Sequence, residues 1–139
     1  MANEGNRRQT GAVDRLGFAH DMIVLEYGYD EDVDESFRER VTEVVGSPLE
    51  EEDYTGIVDA VLLWWRDGDG DLTDELVDCQ GLLEEGGFIA LVTPGSGRGD
   101  RVAAHDVQEA CATVGLTASG AVPLGDDGEW HAQRLVGRR

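Results

Sequence analysis

The chain has 139 residues, 40% of them apolar, and its 30 acidic residues against 11 basic ones give a formal net charge of −19. This length and composition are typical of one globular domain and exclude a largely disordered chain. The charge disfavours nonspecific binding to DNA or RNA, because phosphate backbones are repelled. No apolar run approaches the roughly 20 residues of a membrane span, and the first residues lack the apolar stretch of a secretory signal. We therefore expect a cytoplasmic protein that does not enter a membrane.

The first 20 residues differ from the rest in composition. They are polar and glycine-containing, and they carry three arginines, Arg7, Arg8 and Arg15. We interpret residues 1–20 as a flexible N-terminal arm, which an acidic partner or a nucleic acid could contact, and residues 21–139 as a single domain.

Short apolar runs separated by amphipathic helical patterns organise the rest of the chain. The runs at 57–65 and 88–93 are too short for buried helices and are typical of parallel strands covered on both faces. The predicted strands are 22–27, 57–65, 88–93, 121–124 and 130–136, and the predicted helices are 32–45, 72–84 and 103–114. Gly46 and Gly115 are expected to end the first and third helices, and Gly86 with Gly87 the second.

This order, βαβαβα followed by a hairpin, predicts an α/β fold: a three-layer Rossmann-like sandwich. We expect a mostly parallel sheet of about five strands with a C-terminal antiparallel hairpin. Such sheets bind ligands at the carboxyl ends of their strands. The candidate ligand-binding residues at those ends are Tyr27, Gly28, Tyr29, Trp65, Arg66, Thr93, Gly95, Ser96 and Arg98.

The glycine-rich loop over residues 94–101 follows a strand and precedes a helix. Backbone amides and the helix dipole favour an anion in such a loop, and Arg98 and Arg101 add positive charge. The loop lacks the lysine and the hydroxyl residue of a Walker motif. It predicts a small anionic ligand such as a phosphate, with a solvent-exposed turn as the alternative.

The two adjacent indoles of Trp64 and Trp65 should point to opposite faces of their strand. One is expected to pack under a helix. The other, beside Arg66, could stack on a ligand ring or anchor a protein interface.

The residue types that usually carry catalysis are scattered. The three histidines, His20, His105 and His131, follow no metal-binding spacing. Cys79 and Cys111 fall on apolar helix faces, where buried free thiols are expected. The alternating acids over residues 67–78 have the order of a calcium loop but place Leu72 where its glycine belongs, which favours a strand-to-helix turn. We predict no catalytic residue, no metal and no cofactor.

Part of the chain resembles the class I methyltransferases over residues 57–136. The resemblance rests on three features: the run Leu-Leu-Glu-Glu-Gly-Gly-Phe-Ile at 82–89, the run Asp-Ala-Val-Leu-Leu at 59–63, and the final hairpin. After its first strand that family has acidic-x-Gly-x-Gly-x-Gly, whereas Glu26-Tyr27-Gly28-Tyr29-Asp30 keeps one glycine of the three. The resemblance implies a Rossmann-like core and, as one function, a degenerate or divergent S-adenosylmethionine-dependent methyltransferase-like enzyme.

A second resemblance covers nearly the whole chain. Residues 25–30, residues 58–67 with their Leu-Leu-Trp-Trp-Arg run, and Thr93-Pro94 are similar to a small actinobacterial family of uncharacterised proteins. It implies a stand-alone cytoplasmic domain and supplies neither an activity nor site residues.

The residues and both resemblances together favour a non-catalytic, Rossmann-like binding or regulatory domain. Its ligand would be a partner protein or a small anionic molecule. A second copy of the chain is a further candidate partner, since an exposed tryptophan and an edge hairpin suit a homodimer. The methyltransferase-like enzyme is the alternative function.

Overall fold

The computed structural model describes residues 11–95, 97–125 and 128–137. In chain order its elements are β1 (Val24–Tyr27), α1 (Glu35–Val45), β2 (Val58–Trp64), α2 (Leu72–Gln80), β3 (Leu83–Pro94), α3 (Ala104–Val114), β4 (Leu116–Ala118), β5 (Val122–Leu124) and β6 (Trp130–Gly137). Residues 11–16 are also helical. None of the helices in these ranges has the length and apolar character that crossing a membrane requires.

The strands form one mixed sheet in the order β1-β2-β3-β6-β4, with β5 also paired to β6. The first three strands are mutually parallel, and β6 runs antiparallel to β3, β4 and β5. The predicted α/β Rossmann-like fold with an antiparallel C-terminal part is confirmed. The sheet has one strand more than expected, because the three residues of β4 are too few to produce a periodic signal.

Both faces of the sheet are covered with apolar side chains that pack against helices, so the fold has three layers. Along β2, Ala60, Leu62 and Trp64 belong to the core beneath α1, whereas Val61 and Leu63 belong to the core beneath α2 and α3. A strand buried on both faces loses the alternation of apolar and polar residues. The continuous apolar run of this strand is therefore a direct consequence of its central position.

The N-terminal segment is more ordered than its composition predicts. Ala12, Val13, Leu16 and Phe18 are buried in the core beneath α1, and the Phe18 ring packs edge-on against Phe88 at 5.2 Å. The expectation of a flexible arm is therefore wrong for residues 11–18, while residues 1–10 lie outside the described part. Four apolar residues in a polar, glycine-containing context were too few to indicate a helix.

The second helix is shorter than predicted, and β3 is longer. α2 ends at Gln80 with Gly81 as its C-cap, so Gly86 and Gly87 lie within β3 instead of ending a helix. The pairing of β3 with β2 is irregular there, with a register shift between Val58 and Ala60. A Cβ on Gly87 would lie 2.7 Å from the carbonyl oxygen of Asp59. Glycine here permits a close backbone approach at a bulge.

The outer edge of β1 is covered by the connector that follows α1. The backbone amide of Glu26 donates to the carbonyl of Glu50 at 2.9 Å, and the amide of Glu50 donates to that of Val24 at 2.8 Å. The Glu52 carboxylate accepts from the Gly28 amide at 3.0 Å. These contacts occupy polar groups that an edge strand would otherwise offer to another chain.

Replacing Leu16 with alanine tests whether the N-terminal segment is part of the core. Because Leu16 is 1% exposed, we expect the free energy of unfolding to fall by about 2–4 kcal/mol in urea titrations. Arg15→Ala, at an exposed position of the same segment, is the control and should change it by less than about 0.5 kcal/mol. Equal, small effects of both changes would contradict the assignment.

Candidate functional site

The loops after β1, β2 and β3 meet at one edge of the sheet, because parallel strands end on the same side. We call this the carboxyl edge: residues 28–34, 65–71, 95 and 97–103, together with Trp130 at the start of β6. It is the place where open α/β sheets bind ligands.

Asp32 joins two of the predicted ligand-binding arginines at this edge. Its carboxylate accepts from Arg66 Nη2 at 2.7 Å and Arg66 Nε at 3.0 Å. It also accepts from Arg98 Nη2 at 2.7 Å. Charge-assisted pairs of this forked geometry are among the stronger hydrogen bonds in proteins. We call Asp32, Arg66, Arg98 and Trp130 the Asp32 clamp.

Trp130 is the apolar platform of the clamp. The guanidinium carbons of Arg66 and Arg98 lie 5.2 and 4.6 Å from the centre of its ring. Its Nε1 donates to the backbone carbonyl of Asp32 at 3.1 Å. Trp130 is 1% exposed and packs edge-on against Trp64 at 5.0 Å, so the clamp is anchored to the core beneath α1.

Both arginines also donate to further partners within the chain. Arg66 Nη1 donates to the carbonyl of Gly28 at 3.0 Å and lies 3.5 Å from Asp69 Oδ2. Arg98 makes a second fork onto Asp100, with distances of 3.0 and 2.7 Å. An external anion that binds these atoms of Arg66 or Arg98 would have to displace one of the protein's own carboxylates.

The clamp shifts the acid–base behaviour of its members. Hydrogen bonding to Arg66 holds the pKa of Asp32 well below its ordinary value, against the opposing effect of partial burial. The same bond raises the pKa of Arg66. Asp32 is therefore ionised across the physiological range, so it has no proton to donate as a general acid there and is a weaker base than an ordinary aspartate.

Glu26, the acidic residue of β1, is engaged on the face of the sheet that α1 covers. Its carboxylate accepts a fork from Arg38, at 2.6 and 2.7 Å, and a hydrogen bond from Trp64 Nε1 at 2.8 Å. The side chain is only 7% exposed. Glu26 thus fastens α1 to the sheet, and three donors already occupy its oxygens.

A cleft of about 460 Å³ lies at the ends of β1 and β2. Five of the predicted site residues line it: Tyr27, Gly28, Tyr29, Trp65 and Arg66. Its walls also carry the carboxylates of Asp30, Glu52, Asp69, Glu75 and Asp78. Burial, with the charges of Asp78 and Glu52, raises the pKa of Glu75, which marks a negative potential in the cleft.

The other predicted residues do not line that cleft. Thr93 is buried within β3, and the Gly95 amide donates to the carbonyl of Glu129 at 2.7 Å. A Cβ on Gly95 would lie 2.0 Å from the carbonyl oxygen of Gly128, so backbone fills this space. Arg98 is in the clamp, and Ser96 lies outside the described residues.

Both cysteines are free and buried, as predicted. Burial, together with the charges of Glu75 and Asp78, raises the pKa of the Cys79 thiol to about 12. Burial also raises that of Cys111. Thiols of this kind are poor nucleophiles near neutral pH. Across the described ranges, no three His, Cys, Asp or Glu residues are placed to hold a metal ion.

The sequence alone did not indicate the two central members of the clamp. The predicted boundaries place Asp32 at the start of a helix and Trp130 at the start of a strand, and neither position predicts a role in binding. Asp34 is the actual N-cap of α1, where its side chain accepts from the Phe37 amide, which leaves Asp32 free to face the arginines. Asp32 and Trp130 lie 98 positions apart, and no local pattern connects residues at that separation.

Comparison with known proteins identifies relatives of the whole chain. The family described as "Protein of unknown function (DUF3052)" matches residues 13–139. An uncharacterised protein of Mycobacterium tuberculosis is 44% identical over 122 residues, covering 88% of this chain and 75% of the relative. An uncharacterised protein of Mycobacterium bovis matches with the same values.

Similar solved structures are methyltransferases. Precorrin-6y C5,15-methyltransferase from Geobacter metallireducens matches with a TM-score of 0.67 at 9% identity, covering 94% of this chain and 87% of that one. A SAM-dependent methyltransferase from Aquifex aeolicus matches with a TM-score of 0.60 at 11% identity, covering 96% of this chain and 93% of that one. At these identities the likeness concerns the fold alone, which is methyltransferase-like.

Replacing Asp32 with asparagine should weaken the clamp, because two arginines lose their shared counter-charge. We expect the free energy of unfolding at pH 7 to fall by about 1–3 kcal/mol, towards the lower end since the Asp32 side chain is 35% exposed. Asp67→Asn, an exposed acid at the same edge with the same charge change, is the control and should have little effect.

The stability that Asp32→Asn removes should also depend on pH. Since the folded-state pKa of Asp32 is lowered, its stabilisation is complete above the unfolded-state value near 4 and disappears as the pH falls through the folded-state value. The difference in the free energy of unfolding between wild type and Asp32→Asn should therefore be constant from about pH 5 to 8 and shrink below about pH 4. A difference that grows on acidification would contradict the clamp.

Proposed function

The chain belongs to the DUF3052 family, and we propose that it is a non-catalytic binding domain that acts by engaging a partner protein. The observation that carries this proposal is the Asp32 clamp. At the edge where this fold normally receives a ligand, two of the three arginines, Arg66 and Arg98, are bound to Asp32, Asp69 and Asp100.

The charge distribution argues against the small anionic ligand that the glycine-rich loop predicts. An anion would have to compete with Asp32, which is tethered beside both arginines and so has a high effective concentration. The neighbouring cleft adds five carboxylates, which repel a phosphate or a free carboxylate. A protein segment that carries positive charge meets neither obstacle.

A degenerate methyltransferase-like enzyme is the second candidate. The likeness to solved methyltransferases favours it, as does the Glu26-x-Gly28 remnant at the end of β1. Against it, Glu26 is already bound to Arg38 and Trp64. A Cβ on Gly28 would lie 2.2 Å from the carbonyl oxygen of Trp64, so protein backbone closely approaches that glycine.

Titration with S-adenosylmethionine separates the two candidates. For the binding domain we expect no saturable heat in calorimetry up to millimolar ligand, because the clamp and the Glu26 contacts occupy the polar groups at the strand ends. A characterised class I methyltransferase, titrated under the same conditions, is the positive control. Micromolar binding by the wild-type chain would overturn the proposed function and favour the enzyme.

A further inference from the structure

A second cleft, of about 730 Å³, lies between α1 and the connector that covers β1. We call it the connector groove. It is lined by Glu26, Tyr29, Arg38, Glu39, Thr42, Pro48, Leu49, Glu51, Glu52 and Asp53. It shares Tyr29 and Glu52 with the smaller cleft at the strand ends, so the two clefts adjoin along one face of the molecule.

The floor of the connector groove is preformed, and its polar groups are already satisfied. Arg38 is fixed by its fork onto Glu26 and by a hydrogen bond to Glu35 at 2.8 Å. The Tyr29 ring lies over the Arg38 guanidinium at 4.5 Å, and its hydroxyl donates to Glu35 at 2.9 Å. Tyr29 nevertheless remains 50% exposed. An occupant therefore meets a fixed, half-exposed aromatic ring beside the apolar surface of Leu49.

The rim of the groove, in contrast, carries charge that nothing in the described residues neutralises. Glu39 stands on α1, and Glu51 and Asp53 stand on the connector. All three are exposed. Among the ion pairs found within residues 11–95, 97–125 and 128–137, none involves these three carboxylates. They leave a negative rim around an apolar floor.

The spread of these charges indicates what kind of cation would fit. No three acidic, histidine or cysteine side chains in the described ranges converge closely enough to hold a metal ion. The carboxylates lie instead on two separate elements that border the groove, Glu39 on α1 and Glu51 with Asp53 on the connector. Separated charges of this kind match an extended segment with several basic side chains, each placed against a different acid.

We propose that the connector groove docks an arginine- or lysine-rich segment of the partner protein, with basic side chains against Glu39, Glu51 and Asp53 and its backbone over Tyr29 and Leu49. This inference rests on the proposed function and names the chemistry of the partner. The surrounding acidity supports it: 21 acids lie between residues 26 and 85 against only Arg38, Arg40 and Arg66, which accelerates the encounter with a cationic chain.

The test uses fluorescence anisotropy with a labelled peptide of four arginines alternating with serines, at about 150 mM salt so that distant charges are screened. The groove variant is Glu39→Gln/Glu51→Gln/Asp53→Asn. The matched control is Glu84→Gln/Asp106→Asn/Glu109→Gln, which removes the same charge at exposed positions elsewhere. We expect at least tenfold weaker binding for the groove variant and less than a threefold change for the control.

A third variant separates the shape of the groove from its charge. Thr42→Phe places a bulky, uncharged side chain in the groove wall and should abolish peptide binding while leaving the charge of the groove unchanged. Thermal melts of all variants check that the fold is retained. Equal effects of the two triple variants, or no binding by the wild type, would overturn the inference. The S-adenosylmethionine titration is a separate measurement, so failure of the docking site is distinguishable from failure of the proposed function.

Discussion

The fold converges on one electrostatic contact, the carboxylate of Asp32 held between Arg66 and Arg98 above Trp130. Asp32, Arg66 and Arg98 come from three different loops at the carboxyl edge and Trp130 from β6, so the contact ties the first three strands to β6. Two positive charges stacked on one buried indole would repel each other without a shared counter-ion. Asp32 supplies that counter-ion from within the chain, and the edge is consequently occupied before any ligand arrives.

In this arrangement the polar groups at the strand ends of a methyltransferase-like sheet are engaged with one another. The acid at the end of β1 and the arginines after β2 and β3 are the kinds of groups that bind cofactors. Here each has an internal partner: Glu26 binds Arg38 and Trp64, and both arginines bind aspartates. The carboxylates on the rim of the connector groove form no ion pair with the described residues, so the surface of that groove is acidic.

The sequence predicted the architecture well because the architecture is local. Consecutive residues determine several of its features: the apolar run of β2, the Gly46 cap of α1 and the hairpin of β5 and β6. The predictions were wrong where contacts between residues distant in sequence determine the local structure. Gly86 and Gly87 form a strand bulge because β2 approaches closely, and Leu16 is buried only because the sheet provides a core. For the site, the sequence predicted that Arg66 and Arg98 lie at the strand ends but did not indicate Asp32. Because Asp32 binds both arginines, they are less available to an external anion than the sequence suggests.

The most direct test of the clamp is the titration of the Asp32 side-chain carboxyl carbon by NMR in the folded protein. The structure requires a pKa well below the ordinary aspartate value, with the depression reduced when Arg66 or Arg98 is replaced by glutamine. An Asp32 carboxyl that titrates near the ordinary value of about 3.9, unaffected by either replacement, would show that the carboxyl edge is open.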